Sequence, residues 1–145
     1  METSLGRIRI ELYPEKAPVT VKNFLAYTDE KFYDGTLFHR VAKSPAVIQG
    51  GGYEPGMKEK KTKPAIKNEA GNGLANKPYT IAMARSNEPD SATSQFYINV
   101  KDNDFLDKAR DPDNVVYCVF GKVIEGMDVV DKIFATKTNK EETPV

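Results

Sequence analysis

The sequence predicts a mainly β fold, an antiparallel sheet closed into a barrel with two α-helices outside it. Many short segments have strand patterns, whereas only two separated segments place apolar residues at helical spacing. Strands and helices do not alternate along the chain, so parallel βαβ units are not favoured. No internal repeat or linker-like stretch divides the chain, and residues 1–145 are therefore predicted to form a single domain.

The first predicted strand covers residues 7–12, in which apolar and polar side chains alternate. A helix is predicted from Pro18, because proline suits the first helical turn. Three apolar residues then fall on one helical face. They are Val21, Phe24 and Leu25.

The remaining elements are separated by turns rich in glycine, proline, asparagine and aspartate. Residues 50–79 hold several such signals and are predicted to be mostly loop. A last helix is predicted over residues 127–134, where apolar residues again recur at helical spacing. The other predicted strands cover residues 36–41, 80–84, 95–100 and 115–123, with turns at 34–35, 87–90 and 110–113.

The composition excludes several classes of protein. Lys and Arg number 21 and Asp and Glu also number 21, so the chain lacks the basic excess typical of a nucleic-acid binder. No apolar run reaches the roughly 20 residues of a membrane span, and no signal-peptide pattern follows Met1. A single cysteine, Cys118, excludes an internal disulfide and is typical of a reducing compartment. We expect a cytoplasmic protein that binds neither nucleic acid nor membrane.

Several residues that suggest reactive chemistry are better explained structurally. His39 is the only histidine and has no nearby carboxylate or nucleophile motif, and Cys118 lies in an apolar strand pattern. The glycine run after Gln49 lacks the Lys-Ser/Thr of a phosphate loop, so close approach to the backbone explains it better. The aspartates after Lys101 do not match the spacing of a calcium loop. We predict neither a metal nor a cofactor.

One combination of residues favours a binding or conformational site. Arg40 and Gln49 lie on two candidate strands, and Gln95 begins a third beside aromatic residues. If these strands are neighbours, one sheet face offers a permanent cation and two amides but no nucleophile or base. The alternative is that Arg40 pairs with a surface acid while the amides cap loops.

At these residues the chain resembles the cyclophilins, and most of all their small bacterial cytosolic members. The similarity runs over nearly the whole chain in the family's order. It is carried by the segments 21–24, 38–41, 48–52, 82–84, 94–96, 119–123 and 126–130.

The resemblance implies a closed eight-stranded antiparallel barrel capped by two α-helices, and peptidyl-prolyl cis–trans isomerase activity without covalent chemistry. The first and last strands of that barrel are shortened in this chain, which predicts an open seam with an exposed sheet edge. The implied partners are proline-containing peptides and unfolded chains, and the protein is expected to be a monomer.

The resemblance also assigns roles to individual residues. Arg40 corresponds to the family's catalytic arginine and Gln49 to the glutamine that holds the substrate carbonyl. Phe105 stands where many eukaryotic members have tryptophan, so only weak cyclosporin binding is expected. The implied substrate-binding residues are Phe38, Ala46, Val47, Ala84, Gln95, Tyr97, Phe105, Leu106 and Tyr117.

Two departures from the family pattern keep an alternative open. The family usually has Phe-Met-Ile-Gln where this chain has residues 46–49, after a segment one residue longer than usual, and Tyr97 replaces a phenylalanine. Lost apolar contacts in the pocket would weaken catalysis. The alternative is a module on the same fold that binds proline segments or acts like a chaperone, with weak or lost isomerase activity.

Overall fold

The computed structural model describes residues 1–107 and 116–145 and centres on one antiparallel sheet of six strands. The order across this sheet is β3-β10-β8-β9-β5-β4. Two further pairs, β1-β2 and β6-β7, form separate two-stranded ribbons. The strands are β1 (Glu2–Thr3), β2 (Gly6–Arg7), β3 (Arg9–Leu12), β4 (Arg40–Lys43), β5 (Ala46–Gly50), β6 (Tyr53–Glu54), β7 (Lys58–Glu59), β8 (Thr80–Met83), β9 (Phe96–Asn99) and β10 (Val119–Glu125).

Two α-helices cover one face of the sheet, α1 (Pro18–Asp29) and α2 (Met127–Phe134). Both lie where the helical spacing predicted them, but Leu25, predicted on the apolar face of α1, is exposed. Val21 and Phe24 from α1, and Val129, Val130 and Ile133 from α2, belong to the main core together with Ile48, Ile81, Ile98 and Phe120 of the sheet. A second buried cluster, to which neither α1 nor α2 contributes, lies on the opposite face of the sheet, called here the helix-free face because it carries no α-helix among the described residues.

The helix ends are stabilised by residues from distant parts of the chain. The carboxylate of Glu69 accepts hydrogen bonds from the backbone N–H groups of Val19 (3.3 Å) and Thr20 (2.7 Å), which α1 itself leaves unpaired. Gly126 precedes α2 with φ +88°, and a Cβ there would lie 2.2 Å from the carbonyl oxygen of Arg7. Only glycine fits this close approach of two backbones.

The prediction of a closed eight-stranded barrel is wrong for the residues that the structure describes. β3 and β4 are the two edges of the six-stranded sheet, and no ladder between them is found within residues 1–107 and 116–145. The short strands that could extend the sheet pair with each other instead: β1 with β2, and β6 with β7. The coarser prediction, a mainly β fold with two helices, is confirmed.

Several predicted strand boundaries also need correction. Residues 36–39 are not strand, because that segment turns and joins the fold through single bonds such as Leu37 N–H to Tyr53 O (2.8 Å). The predicted strand at 7–12 is interrupted at Ile8, which lies between the end of β2 and the start of β3. Residues 116–118 precede β10 without being part of it. The predicted turn at 110–113 and the start of the predicted strand at 115 lie outside the described residues.

The segment after α2 returns to the sheet and lies beside β4. Val41 N–H donates to the carbonyl oxygen of Glu142 at 2.8 Å, and Lys43 Nζ donates to the carbonyl oxygen of Phe134 at 2.6 Å. These bonds bring the chain's C-terminal segment next to Arg40. In the described part of the chain, no helix has the length and apolar character needed to cross a membrane.

Candidate active site

The site is built on a row of paired residues that crosses the sheet. Arg40 on β4 lies opposite Gln49 on β5, and Gln49 lies opposite Tyr97 on β9. Tyr97 in turn lies opposite Ala82 on β8. Because directly paired residues project from the same face, the alternation that sends Ile48 and Phe96 into the main core sends this row to the helix-free face.

A chain of side-chain hydrogen bonds runs along one end of this row. Arg40 Nη1 donates to Gln49 Oε1 at 3.2 Å, and Gln49 Nε2 donates to Gln95 Oε1 at 3.0 Å. Gln95 reaches Gln49 because Gly52 leaves room: a Cβ on Gly52 would lie 2.7 Å from Gln95 Cγ. The interpretation of the glycine run as a place of close approach is therefore confirmed at Gly52.

Arg40 has a second partner on the opposite side of its guanidinium. Its Nε donates to Glu142 Oε2 at 2.7 Å, and the two side chains are 36% and 38% exposed. Arg40 was predicted either to share a sheet face with the two amides or to pair with a surface acid. It does both, because it bonds to Gln49 and to the partly exposed Glu142.

A cavity of about 240 Å³ opens beside this polar chain on the helix-free face. Its walls are mainly apolar and aromatic, and two guanidinium groups and one amide also line it. The lining residues are Arg40, Pro45, Val47, Gln49, Ala84, Arg85, Tyr97, Leu106 and Tyr117.

Most of the predicted site residues meet at this cavity, and four do not line it. Ala46 is adjacent to Val47 on β5 and therefore points to the other face of the sheet. Phe38 packs against Phe96, with ring centroids 6.0 Å apart, and lines a different cavity. Gln95 acts through its bond to Gln49, and Phe105 is half-buried in the turn Asp104–Asp107 that also carries Leu106.

Tyr97 contributes its ring to the cavity while its hydroxyl points past it. The hydroxyl donates to Asn76 Oδ1 at 2.7 Å among buried groups. Burial raises the pKa of Tyr97 well above its usual range, with a smaller contribution from Tyr117, so the hydroxyl stays protonated. Tyr97 therefore acts as a structural donor and an aromatic wall.

Sequence reasoning missed two lining residues, Pro45 and Arg85. Pro45 follows a cis Ser44–Pro45 peptide bond in the turn between β4 and β5. Arg85 donates through Nη2 to Val116 O at 3.0 Å, and its Cζ lies 4.9 Å from the ring centroid of Tyr117. Its position directly after Ala84 is the one sequence signal that could have found it.

Arg85 also separates this cavity from a second, more polar one of about 320 Å³. The two share Gln49, Ala84 and Arg85 as lining residues. The second cavity is otherwise lined by Glu59, Ser86, Ser91, Thr93 and Gln95. An extended peptide held at the first cavity would therefore have a polar depression beside it.

Neither His39 nor Cys118 lines the apolar cavity. The ring of His39 lies 4.6 Å from that of Tyr53, and burial lowers the pKa of His39, with Arg40 as a smaller cause. Cys118 is buried, and burial raises the pKa of its thiol. Among residues 1–107 and 116–145, no group of three or more His, Cys, Asp or Glu side chains could hold a metal ion.

Comparison with known proteins gives one consistent family. The family described as "Cyclophilin type peptidyl-prolyl cis-trans isomerase/CLD" matches residues 1–145. A peptidyl-prolyl cis-trans isomerase of Acinetobacter baylyi is 59% identical over 139 residues, covering 96% of this chain and 72% of that protein. Peptidyl-prolyl cis-trans isomerase B of Escherichia coli is 55% identical over 139 residues, covering 95% of this chain and 84% of that protein.

A solved structure supports the same relationship at the level of the fold. It is a Cryptosporidium parvum cyclophilin type peptidyl-prolyl cis-trans isomerase, crystallised in the presence of the dipeptide Ala-Pro. The TM-score is 0.85 at 27% sequence identity, and the match covers 100% of this chain and 89% of that one.

Proposed function

The chain belongs to the cyclophilin-type peptidyl-prolyl cis-trans isomerases, and from that premise we propose that Arg40 is its catalytic donor and Gln49 its substrate-orienting amide. The observation that carries this proposal is the Arg40–Gln49–Gln95 chain at the edge of an apolar cavity. The arrangement offers donors and apolar walls for an X-Pro segment, which is what a reaction without covalent chemistry needs.

The chemistry of the reaction explains why a fixed donor suffices. Rotation about a peptide bond has a barrier of about 18–20 kcal/mol, because resonance must be broken. In the twisted amide the nitrogen regains its lone pair and becomes an acceptor, which it is not in the planar ground state. A donor aimed at that nitrogen therefore stabilises the transition state selectively. The guanidinium of Arg40 is a permanent cation with several donors and suits this role.

The cavity is suited to a single proline ring. Its volume of about 240 Å³ lies below the usual range for drug-sized ligands, roughly 300–1,000 Å³. Val47, Ala84 and Leu106 offer apolar contacts, while Tyr97 and Tyr117 form a T-shaped aromatic pair with centroids 5.9 Å apart. We propose that these five side chains hold the ring while the bond before it rotates.

Gln49 is placed to hold the substrate carbonyl beside Arg40. Its Oε1 accepts from Arg40 and one of its amide hydrogens is donated to Gln95, so the amide orientation is fixed at both ends. No other described residue accepts from the second amide hydrogen, which is left for a substrate carbonyl. The proposed substrates are proline-containing peptides and unfolded chains, in agreement with the Ala-Pro used with the Cryptosporidium protein.

Three further proposals concern the working state of the protein. We propose a monomer, since residues of one chain build the whole cavity. We propose weak cyclosporin binding, since Phe105 offers no indole N–H. The lone buried thiol of Cys118 supports a reducing compartment, and we propose the cytoplasm.

The assignment of Arg40 is tested by Arg40→Ala in an isomerase assay on an Ala-Pro peptide. Loss of a transition-state donor should lower kcat/KM by about 100- to 1,000-fold. Arg40→Lys should recover little, because an ammonium lacks the planar fork of a guanidinium. The matched control is Arg9→Ala, which removes an exposed arginine that is paired with Glu125 and does not line the cavity. Parental activity in Arg40→Ala would exclude Arg40 as the donor.

A further inference from the structure

The carboxylate of Glu142 binds the guanidinium that the proposed mechanism depends on. Glu142 accepts from Arg40 Nε at 2.7 Å, while Gln49 accepts from Nη1 at 3.2 Å. We propose that Glu142 is a positioning residue that fixes the plane of the Arg40 guanidinium for catalysis. This inference rests on the proposed function of Arg40.

Among residues 1–107 and 116–145, these two acceptors leave the other donors of Arg40 available to a substrate. A guanidinium has five N–H donors, of which Glu142 and Gln49 take one each. Two acceptors on different nitrogens define the plane of the group, whereas a single acceptor would leave it free to rotate. The donors on Nη2 and the second hydrogen on Nη1 then remain at the edge of the cavity that Arg40 lines.

Glu142 is itself held in place by a well-bonded turn. Asn139 Oδ1 accepts from the backbone N–H groups of Glu141 and Thr143, both at 2.9 Å, and Asn139 N–H donates to Thr143 O at 2.9 Å. The backbone of Glu142 donates to Asn139 O at 3.2 Å and accepts from Val41 at 2.8 Å. The carboxylate is therefore presented by a rigid turn attached to the strand that carries Arg40.

The backbone conformation of Glu142 is costly for a residue of its type. Its φ is +62°, in the left-handed region that glycine and asparagine adopt more readily. Unfavourable backbone at a non-glycine position suggests a functional constraint when the side chain touches a site. Here the side chain contacts the proposed catalytic donor.

The energetics of the pair favour orientation over stability. Both side chains are more than a third exposed, and ion pairs of this kind contribute little to folding. Fixing a long arginine side chain before the substrate arrives avoids losing its rotamer freedom during the reaction. Removing Glu142 should therefore affect turnover more than folding or peptide binding.

The experiment measures turnover and binding separately by NMR on an Ala-Pro peptide. Exchange spectroscopy at saturating peptide gives the cis–trans rate, and titration gives Kd. Glu142→Ala should lower the rate by about 5- to 10-fold, since small misplacements of a catalytic group can cost up to 100-fold. Kd and Tm should stay close to those of the parent. Glu142→Gln keeps an acceptor for Nε and should recover most of the rate.

The matched control is Glu125→Ala, which removes the same charge from an exposed pair with another arginine, Arg9. It should keep the parental rate. An unchanged or raised rate in Glu142→Ala, a fall equal to that of Glu125→Ala, or a loss confined to Kd would each overturn the inference. If Arg40→Ala is inactive while Glu142→Ala is fully active, this inference fails and the role of Arg40 stands. If Arg40→Ala is fully active, the proposed function of Arg40 fails first.

Discussion

At the scale of single residues, His39 shows how surroundings set a protonation state. The side chain is half-buried against Tyr53, and its Nδ1 has no hydrogen-bond partner within the part of the chain that the structure describes. Burial is the larger cause and Arg40 the smaller cause of a pKa below the ordinary value of 6.5. The unfolded chain therefore binds a proton at a higher pH than the folded chain does.

This difference predicts a pH-dependent stability. In the unfolded chain His39 begins to take up a proton as the pH falls through about 6.5, whereas in the folded chain it stays neutral. The free energy of unfolding should therefore be unaffected by His39 above that pH and decline below it. Urea unfolding between pH 7.5 and about 5.5, above the range in which carboxylates titrate, measures the decline. His39→Phe should flatten it, and an equal slope in both proteins would contradict the assignment.

At the scale of elements, buried amides join the strands beneath the cavity. Asn76, Asn99 and Asn103 are 0%, 0% and 3% exposed. Asn76 Oδ1 accepts from Tyr97 Oη (2.7 Å) and from Asn99 Nδ2 (3.0 Å), while Asn103 Nδ2 donates to Asn99 Oδ1 (2.8 Å). The network ties the loop before β8 to β9 and holds the aromatic wall from behind.

Removing the Asn76 side chain from this network should lower the stability of the protein substantially. Asn76→Ala leaves the buried Tyr97 hydroxyl without its acceptor, and we expect the free energy of unfolding to fall by about 2–3 kcal/mol in urea titrations. Asn87→Ala, the same change at an exposed turn, should stay within about 0.5 kcal/mol. Tyr97→Phe should lower the free energy of unfolding less in the Asn76→Ala variant than in the parent, because there it removes a hydroxyl that has already lost its acceptor. Additive effects would contradict the network.

At the scale of the whole molecule, Cys118 reports on the integrity of the core. It is 4% exposed, its Sγ lies 3.6 Å from Thr20 Oγ1 of α1, and burial raises the pKa of the thiol. The thiol belongs to the same core cluster as α1, α2 and the sheet. The side chain of Asn72, in the loop before β8, also lies 3.9 Å from Sγ, so a reagent can reach the thiol only when α1 or this loop separates from the sheet.

Thiol labelling should consequently follow global unfolding. With an aromatic disulfide reagent, the native protein should react at least about 1,000-fold more slowly than the urea-unfolded chain. The rate should rise with urea in parallel with loss of structure. Ser4→Cys adds an exposed thiol and should react at once, which controls for the reagent. Fast labelling of Cys118 at a rate independent of urea would instead indicate local opening.

Local patterns predicted much of this molecule. Proline at Pro18 and apolar spacing gave α1 and α2 their observed starts, because helices depend on near neighbours in the chain. The strand patterns predicted that Arg40, Gln49 and Gln95 share one sheet face, and hydrogen bonds do join these side chains. Tyr97 was predicted only from the family resemblance, and strict alternation would have excluded Ala46.

Long-range contacts account for what the sequence could not predict. Closure of the six-stranded sheet depends on which short strands pair with its edges. β1 pairs with β2 and does not extend the sheet. Glu142 is 102 positions from Arg40, with no local signal linking them. Residues 36–39 have a strand-like composition, but their backbone N–H groups form single bonds, to Tyr33 and Tyr53, and no continuous ladder.

The turn that presents Glu142 also has a consequence for solubility. β4 is an edge of the sheet, and the unpaired N–H and C=O groups of an edge are where two copies of a protein can join strand to strand. The carbonyl oxygen of Glu142 already accepts the outward N–H of Val41, and Lys43 places a charge along the same edge. A second molecule approaching β4 therefore meets a strand that its own chain has partly covered, which opposes aggregation from this side.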